Sequence, residues 1–440
     1  MSEITARREF LQNIGLAAAA VGATDPLNPL HAVGAEQKRH SINYPKGSAE
    51  HCIFVWLGGG AAQIDMWDPK RLGDPASKKA GSAYPAIDTA IPDVQVSEHL
   101  GQCAKILDWF CLLRTIHHDI KDEHAAATNR MHTGRPVSGT IVYPSIGSIV
   151  ANQRGKVVEG MPAYVVMGYP NLTRGPGFLG ARNSYIYLTD TEAGPAGLHR
   201  PGDISDTRQA RREQLLTGLR SGFRKRTSGD PAVKNYDSVI GEAFALGQGE
   251  FMDAFHLARE PGSLRESYGG EFGQRCLLAR RLVQRGVRFI EVSFNLNFIN
   301  GTGWDTHNDG QKNQHILIRQ LDQALATLVL DLEKHRLLDK TLVVVATEFG
   351  RPAQFDAGGG RGHHSGSFSV VTAGGGLNNA RTIGVTDELA MNIEERPVSV
   401  PDLHATIHCA LGIRPDKTLY DGDRPVPITD MGQPIRELFT

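Results

Sequence analysis

The chain has 440 residues, which is enough for one large α/β domain with insertions or for two domains. Its formal net charge is -1, whereas nucleic-acid-binding proteins usually have an excess of basic residues, so we expect no nucleic-acid partner. Its hydrophobic content of 40% excludes disorder as the state of the main body. The five cysteines have no CxxC spacing, so neither a cysteine-based zinc site nor a disulfide framework is expected.

The N-terminus has the pattern of an export signal. The pair Arg7 and Arg8 precedes an apolar run over residues 14–23 and then a zone of small residues. This order resembles a twin-arginine signal, so we predict a signal peptide at residues 1–35 and a periplasmic or otherwise extracytoplasmic domain at residues 36–440. An ordinary amphipathic N-terminal helix is the alternative. No stretch is long and apolar enough for a confident membrane span, so we expect no transmembrane segment in the mature chain.

The first strand of the domain is predicted at residues 52–57, a continuous apolar run typical of a fully buried parallel strand. Three glycines at positions 58–60 close it and allow the next loop to pass close to a ligand. Asp65 and Asp68 follow. A carboxylate just beyond a strand is well placed for a site at the sheet edge, so Asp65 is a candidate metal ligand. A turn or cap role is the alternative for both aspartates.

An apolar segment at residues 106–116 leads into a stretch with four histidines, which are His117, His118, His124 and His132. The alanine-rich sequence after His124 predicts a helix that Gly134 and Pro136 stop. His124 lies near the start of this helix, where a ligand or an anion would meet free backbone N–H groups. A surface or core histidine is the alternative.

The middle of the chain is rich in glycine, proline and charged residues, and we interpret residues 137–265 as an insertion or cap over the core. A short strand at residues 163–167 lies inside this range. An amphipathic helix is then predicted at residues 271–286.

A βαβ pattern follows in the second half of the chain. A strand at residues 287–294 enters a polar loop with Asp305 and His307, and an amphipathic helix over residues 314–338 leads to a strand that ends on Glu348. Such a unit has a right-handed crossover between parallel strands. The carboxyl ends of strands in an open α/β sheet are the usual place for a binding site.

A glycine-rich loop carries His363 and His364, and it precedes a further strand at residues 367–372 and a helix at residues 401–413. The two histidines are adjacent, so they cannot easily face the same way, and one of them could lie outside a ligand shell.

Carboxylate and imidazole groups without thiolate suit zinc, iron or manganese better than calcium. The candidate ligands are Asp65, Asp305, His307, Glu348, His363 and His364. They suffice for one or two divalent ions, which would neutralise an anionic ester and activate water or another nucleophile. Arg351 and Arg361 flank the proposed site and could clamp an oxyanion. A structural polar network is the alternative for the whole set, and surface salt bridges are the alternative for the arginines.

Several motifs together resemble an exported bacterial family that is classed as a domain of unknown function. They are the Gly58–Gly60 turn with Asp65 and Asp68, Met131-His-Thr-Gly-Arg-Pro136, Trp304-Asp-Thr-His307, Thr347-Glu-Phe-Gly-Arg351, Gly360-Arg-Gly-His-His364 and Asp402-Leu-His-Ala-Thr406. That family is similar to the alkaline phosphatase and sulfatase superfamily. The resemblance implies a three-layer α/β sandwich with a mostly parallel central sheet, helices on both faces and a dimetal centre at the strand ends.

The resemblance also implies roles for single residues. Asp305 and His307 resemble a ligand pair of one metal, which His363 or His364 would complete. Glu348 takes the place of a ligand aspartate of the superfamily, and Asp65 resembles its first-strand aspartate.

Two positions depart from the superfamily pattern. Phe349 stands where that pattern has a metal-binding histidine. His124 occupies the place of the usual serine, threonine or cysteine nucleophile, so it could be a covalent nucleophile, a general acid or a further ligand; Thr128 is a second nucleophile candidate. The formylglycine signature of sulfatases is missing, because Cys111-Leu-Leu-Arg114 lacks its proline.

The leading functional hypothesis is an exported, metal-dependent hydrolase of phosphate or sulfate esters, with zinc or manganese as the expected metal and a polysaccharide ester as one candidate substrate. His124 and Arg351 are the expected catalytic residues. The alternative is a non-catalytic binding or assembly protein on a degenerate phosphatase-like scaffold, which the missing nucleophile and Phe349 favour.

Overall fold

The computed structural model describes residues 43–439 except for 199–202, 228–229, 231–232, 234–238, 244–245, 248–249, 295–302 and 308–310. The predicted signal peptide at residues 1–35 lies outside the described residues. Residues Tyr44–Thr440 form one compact unit. Among the helices of the described part, none combines the length and the apolar character that a membrane crossing requires.

Strands are present along the whole described chain. In chain order they are β1 (His51–Trp56), β2 (Ala86–Asp88), β3 (Gln95–Ser97), β4 (Phe110–His117), β5 (Tyr164–Met167), β6 (Ile186–Leu188), β7 (Phe289–Ser293), β8 (Thr341–Ala346), β9 (Phe368–Gly374), β10 (Arg381–Ile383), β11 (Val385–Thr386), β12 (Ile393–Glu395), β13 (Val398–Ser399), β14 (Thr418–Asp421) and β15 (Arg424–Pro427).

Nine of these strands form the central sheet of the described residues, in the order β10-β4-β9-β8-β1-β7-β5-β6, with β13 also paired to β4. Its pairs are parallel except those that β9 makes with β4 and β8. Three two-stranded antiparallel sheets accompany it: β2–β3, β11–β12 and β14–β15. The prediction of an α/β fold with a mostly parallel sheet is therefore confirmed.

Along the described chain, helices occur in four of the connections between strands of the central sheet: β1 to β4, β4 to β5, β6 to β7, and β7 to β8. In the described residues they are α1 (Gly101–Lys105), α2 (His124–Thr133), α3 (Ile146–Arg154), α4 (Asp206–Arg226), α5 (Gly262–Tyr268), α6 (Glu271–Gln284), α7 (Gln311–Lys334) and α8 (Val400–Ala410).

The sheet is covered on both faces, which the alternation along β1 illustrates. Ile53 and Val55 pack into a hydrophobic cluster with α6 and α7. Phe54 and Trp56 pack into a second cluster with α3 and α8. Because both faces of β1 are buried, its sequence is a continuous apolar run rather than an alternating one. The result is a three-layer arrangement of helices, sheet and helices.

The loops that carry the candidate site residues meet at one edge of the sheet. Strands β1, β7 and β8 are mutually parallel, and β4 runs in the same direction because β9 lies antiparallel between β4 and β8. The segments after β1, β4, β7 and β8 therefore emerge at the same edge, and the segment before β9 ends there. This is the edge at which open α/β sheets bind ligands.

The range 137–265, predicted as an insertion or cap, begins inside the core. Strands β5 and β6 belong to the central sheet, and α3 packs on one of its faces. Later in the range, α4 has no buried residue. The predicted strand at residues 163–167 is β5, which is buried, and β6, which is only partly buried, was not predicted.

Candidate metal centre

Four side chains bring their ligand atoms together at the carboxyl edge of the sheet. His124, Asp305, His307 and His363 each offer one atom, and these four atoms lie within 4.8 Å of one another. Oδ1 of Asp305 lies 3.6 Å from Nε2 of His124, 3.2 Å from Nε2 of His307 and 4.0 Å from Nε2 of His363. Nε2 of His307 and Nε2 of His363 are 3.0 Å apart. Ligands about 2.0–2.1 Å from a tetrahedral zinc ion would be roughly 3.4 Å apart, so the cluster has the size of a zinc site.

His124 is the first residue of α2, as the sequence predicted. The helix starts there because the side chain of Glu123 accepts hydrogen bonds from the N–H groups of Ala125 and Ala126. The helix ends where Gly134 adopts the left-handed conformation, with φ of 71°. These local signals fix the position of His124 above the sheet edge.

Glu348, predicted as a metal ligand, lies behind His124. Its Oε1 accepts a hydrogen bond from the N–H of Gly59 at 2.7 Å and lies 2.8 Å from Nδ1 of His124. A proton on Nδ1 donated to this carboxylate directs Nε2 toward Asp305, 3.6 Å away. A carboxylate that orients a ligand histidine in this way is common around metals. The geometry thus gives His124 a ligand position and Glu348 a supporting position.

Asp305 and His307 come from the loop after β7. The loop is anchored by Trp304, which is fully buried and packs against Phe294. The backbone of Gly59 approaches this loop so closely that a Cβ atom there would lie 2.6 Å from the backbone nitrogen of Asp305. The glycine after β1 is therefore required by the path of the Asp305 loop.

Phe349 contributes no ligand atom, yet it shapes the cluster. Its ring is fully buried and lies 4.8 Å from the ring of His124 and 4.5 Å from the ring of His363, measured between centroids. Both imidazoles pack on this one apolar face, which fixes their orientation.

The structure does not bring Asp65 and His364 into the cluster. Asp65 is fully buried and pairs with Arg361 through both carboxylate oxygens, at 2.8 and 2.9 Å. His364 places its Nε2 2.9 Å from the carbonyl oxygen of Met391. Of the adjacent histidines, His363 is therefore the one whose ring enters the cluster.

Arg351 and Arg361, expected to clamp an oxyanion, are both fully buried. Arg351 donates to Asp305 at 2.7 Å and to the carbonyl oxygens of Gly60 and Arg361. Arg361 is held by Asp65 and by backbone carbonyls. Both guanidinium groups thus brace the site from inside instead of facing a substrate.

The electrostatic field of the cluster favours a cation. Burial by itself would lower the pKa of His124, but the hydrogen bonds and charges of Asp305 and Glu348 outweigh it and raise the pKa to about 9. Burial, together with Arg351, lowers the pKa of His363 to about 4, so this imidazole is neutral at pH 7 and keeps a lone pair for a metal. The carboxylates therefore hold a positive charge at His124, which either a proton or a metal ion can supply.

A cavity of about 390 Å³ adjoins the cluster, with His124 and Glu348 in its wall. The remaining wall includes Thr128, Tyr169 and Arg174. A cavity of about 430 Å³ lies elsewhere, beside α3, and its lining contains no histidine. Of these two cavities, the one beside the cluster would place a substrate against His124.

Arg174 and Tyr169 were not predicted as site residues. They lie in the glycine- and proline-rich stretch after β5, which was assigned to an insertion. The sequence feature that could have indicated Arg174 is a charged side chain in the loop that follows a buried strand.

No curated protein matches the sequence. Similar solved structures include Ps i-CgsB in complex with k-i-k-neocarrahexaose, with TM-score 0.40, 12% identity, and coverage of 84% of this chain and 73% of that chain. A protein in the alkaline phosphatase superfamily from Vibrio parahaemolyticus is similar with TM-score 0.40, 11% identity, and coverage of 84% of this chain and 69% of that chain. The lipoteichoic acid synthase LtaP from Listeria monocytogenes is similar with TM-score 0.42, 9% identity, and coverage of 90% and 78%.

The resemblance to a bacterial family of unknown function is confirmed over most of the chain. The profile of the family described as "Protein of unknown function (DUF1501)" matches residues 49–439, and the chain belongs to that family.

Proposed function

We propose that the protein is an exported, metal-dependent hydrolase of phosphate or sulfate esters. The observation that carries this proposal is the convergence of His124, Asp305, His307 and His363 within 4.8 Å, beside a cavity large enough for a small ester. Export rests on the resemblance of residues 1–35 to a twin-arginine signal.

The ligand set supports one ion, with zinc or manganese favoured over calcium. Three imidazoles and one carboxylate suit a transition metal, whereas calcium takes six to eight oxygen ligands. Asp65 would have to give up Arg361 before it could bind a second ion. Glu348 already accepts hydrogen bonds from His124 and Gly59. A dimetal centre is therefore not the form that we propose.

An ion in this cluster would act as a Lewis acid toward an ester oxygen and would lower the pKa of a bound water. The chain's own residues hold the geometry. Glu348 holds the Nδ1 side of His124, so that Nε2 is the atom directed toward the metal position. Arg351 fixes the carboxylate of Asp305. The cavity next to His124 receives the ester, and Tyr169, half exposed at its wall, offers a flat face on which a sugar ring could stack.

A second candidate function is a non-catalytic binding or assembly protein. It is favoured by one observation: Phe349, which stands where the superfamily pattern has a metal-binding histidine, is fully buried against His124 and His363 and offers no ligand atom. Thr128, the second nucleophile candidate, lies in the cavity wall.

The test combines metal content with turnover on a panel of phosphate, phosphonate and sulfate esters. We expect about one equivalent of zinc or manganese per chain, and we expect ester hydrolysis that is lost in His307→Ala. The matched control is His315→Ala, because His315 lies on α7 against Tyr84 and His99, outside the cluster. A folded protein that holds metal but hydrolyses no ester would support the binding protein. A folded protein without metal would contradict the hydrolase.

A further inference from the structure

We propose that Arg174 binds the oxyanion of the ester in the cavity beside the metal cluster, an inference that rests on the proposed function. The ligand class is a tetrahedral oxyanion, either phosphate or sulfate. Arg174 would therefore hold the ester, while the four clustered residues hold the metal.

The position of Arg174 carries the first part of this inference. It ends the short 3-10 turn Leu172–Arg174, which follows β5 and packs against α2. Its side chain lines the cavity that His124 and Glu348 also line. Among the described residues of that lining, Arg174 is the one arginine, and no lysine is present.

The way in which Arg174 is held carries the second part. Its Nε donates to Oε1 of Glu291, which is fully buried on β7. Glu291 is flanked by Nε2 of His132 at 3.3 Å and by the hydroxyl of Tyr164 at 3.4 Å. Burial raises the pKa of Glu291, but Arg174 and His132 outweigh it and lower the pKa to about 2. Glu291 is therefore a fixed anion that anchors the guanidinium.

This anchor uses only part of the guanidinium. Within the described residues, no hydrogen bond engages the two Nη atoms of Arg174, whereas its Nε is bound to Glu291. The buried Arg280 also uses Nε toward its carboxylate partner Asp331, but its Nη1 donates to Glu260 and Gln284 as well. Arg174 is 8% exposed and lines the cavity, and the two Nη groups of a guanidinium have the geometry that binds two oxygens of a phosphate or sulfate.

The surroundings agree with a single anion site. The carboxylate of Glu123 is occupied by two backbone N–H groups at the start of α2, and that of Glu348 by His124 and Gly59. Their charges are thus partly offset, and Thr128 adds a neutral hydroxyl to the wall. Glu291 already offsets the positive charge of Arg174, so Arg174 would hold an anion mainly through the hydrogen bonds of its Nη groups.

The test is titration calorimetry with inorganic phosphate and, separately, inorganic sulfate. Each anion is titrated into zinc-loaded protein that is free of excess metal and into protein in EDTA. Because Arg174→Gln alone leaves Glu291 buried without its partner, the double variant Arg174→Gln/Glu291→Gln is measured beside it. The matched control is Arg280→Gln/Asp331→Asn, a buried pair joined at 2.8 Å whose residues do not line the cavity.

We expect the wild-type protein to bind at least one of the two anions. The control variant should bind that anion with the same affinity as the wild type. The Arg174 variants should bind it roughly 10- to 100-fold more weakly, the range of hydrogen bonds to a charged group. Zinc content should stay unchanged in all of them. Equal anion affinity in wild type and a folded Arg174 variant would overturn the proposal, and so would a wild type that binds neither anion. Failure of the proposed function would give a different result from failure of this inference. In that case the wild-type protein would contain no zinc, but its anion binding in EDTA would still depend on Arg174.

Discussion

Two buried aspartates at the same edge of the sheet have different partners. Asp305 has three imidazole nitrogens within 4.0 Å of Oδ1 and one hydrogen bond from Arg351. Asp65 has Arg361 on both oxygens, and the N–H of Ala83 and the side chain of Gln311 also donate to it. The carboxylates are equally buried and each binds an arginine, but Arg361 occupies both oxygens of Asp65, whereas Arg351 donates to Oδ1 of Asp305, which also lies beside three imidazoles that can share a metal.

The difference shows what makes a buried carboxylate a metal ligand. Asp65 could bind an ion only if Arg361 lost its partner inside the protein, and leaving a buried charge unpaired is strongly unfavourable. Asp305 lies next to His363, which is neutral, and to His124, whose proton a metal can replace. The imidazoles beside Asp305, which Asp65 does not have among its donors, therefore decide the role of each aspartate.

The largest expected effect is that of Asp305→Asn. The change keeps the shape of the side chain but removes the charge that the three imidazoles face. Loss of a residue that only supports a metal ligand lowers metal affinity by up to roughly 100-fold. Because Asp305 is expected to bind the metal directly, we expect Asp305→Asn to lower zinc affinity by more than that. Competition with a chelating dye measures it. Asp65→Asn is the matched control, and an equal loss of affinity in both variants would end the distinction between the two aspartates.

The second effect concerns stability. Asp65→Asn leaves the buried guanidinium of Arg361 without its carboxylate, so we expect a loss of about 3–5 kcal/mol in the free energy of unfolding. Urea denaturation in EDTA measures it. Asp88→Asn, at an exposed aspartate on β2, should change the value by less than about 0.5 kcal/mol. An Asp65→Asn protein that keeps its stability but loses zinc would contradict this interpretation, because it would make Asp65 a metal ligand and not a structural partner of Arg361.

A smaller effect is expected for Glu348→Gln. Glu348 orients His124 but lies behind it, so zinc affinity should fall by about 10- to 100-fold, less than in Asp305→Asn. The same dye competition measures the zinc affinities of Glu348→Gln and Asp305→Asn in parallel. A loss as large as that of Asp305→Asn would make Glu348 a direct ligand.

The smallest effect is a dependence of zinc affinity on pH. Burial lowers the pKa of His124, but Asp305 and Glu348 raise it to about 9, so this imidazole carries a proton below pH 9 that zinc must displace. Affinity should therefore rise with pH between 6 and 9, by up to about tenfold per unit for one released proton. Calorimetry in buffers of different ionisation heat measures how many protons are released when zinc binds. If no proton were released, His124 would not be a zinc ligand.

Much of the scaffold was predictable because its signals are local. The apolar run predicted at residues 52–57 is β1 (His51–Trp56), and the amphipathic pattern at residues 314–338 is α7 (Gln311–Lys334). Gly134 ends α2 as expected, with a backbone conformation that glycine adopts at little cost. The positions of Asp305, His307 and His363 at one sheet edge also follow the sequence prediction.

The remaining features depend on partners distant in the chain. Arg361 reaches Asp65 across 296 positions, and no pattern near Asp65 indicates it. The antiparallel insertion of β9 between β4 and β8 is likewise a property of the whole sheet. The supporting role of Glu348 depends on which nitrogen of His124 faces it, and residue spacing cannot give that.

Anomalous diffraction from crystals of the zinc-loaded protein tests the central claim most directly. We expect one peak per chain, bound by Asp305, His124, His307 and His363, and no peak beside Asp65, which should remain paired with Arg361. An empty cluster, or a zinc ion bound between Asp65 and Glu348, would contradict the account.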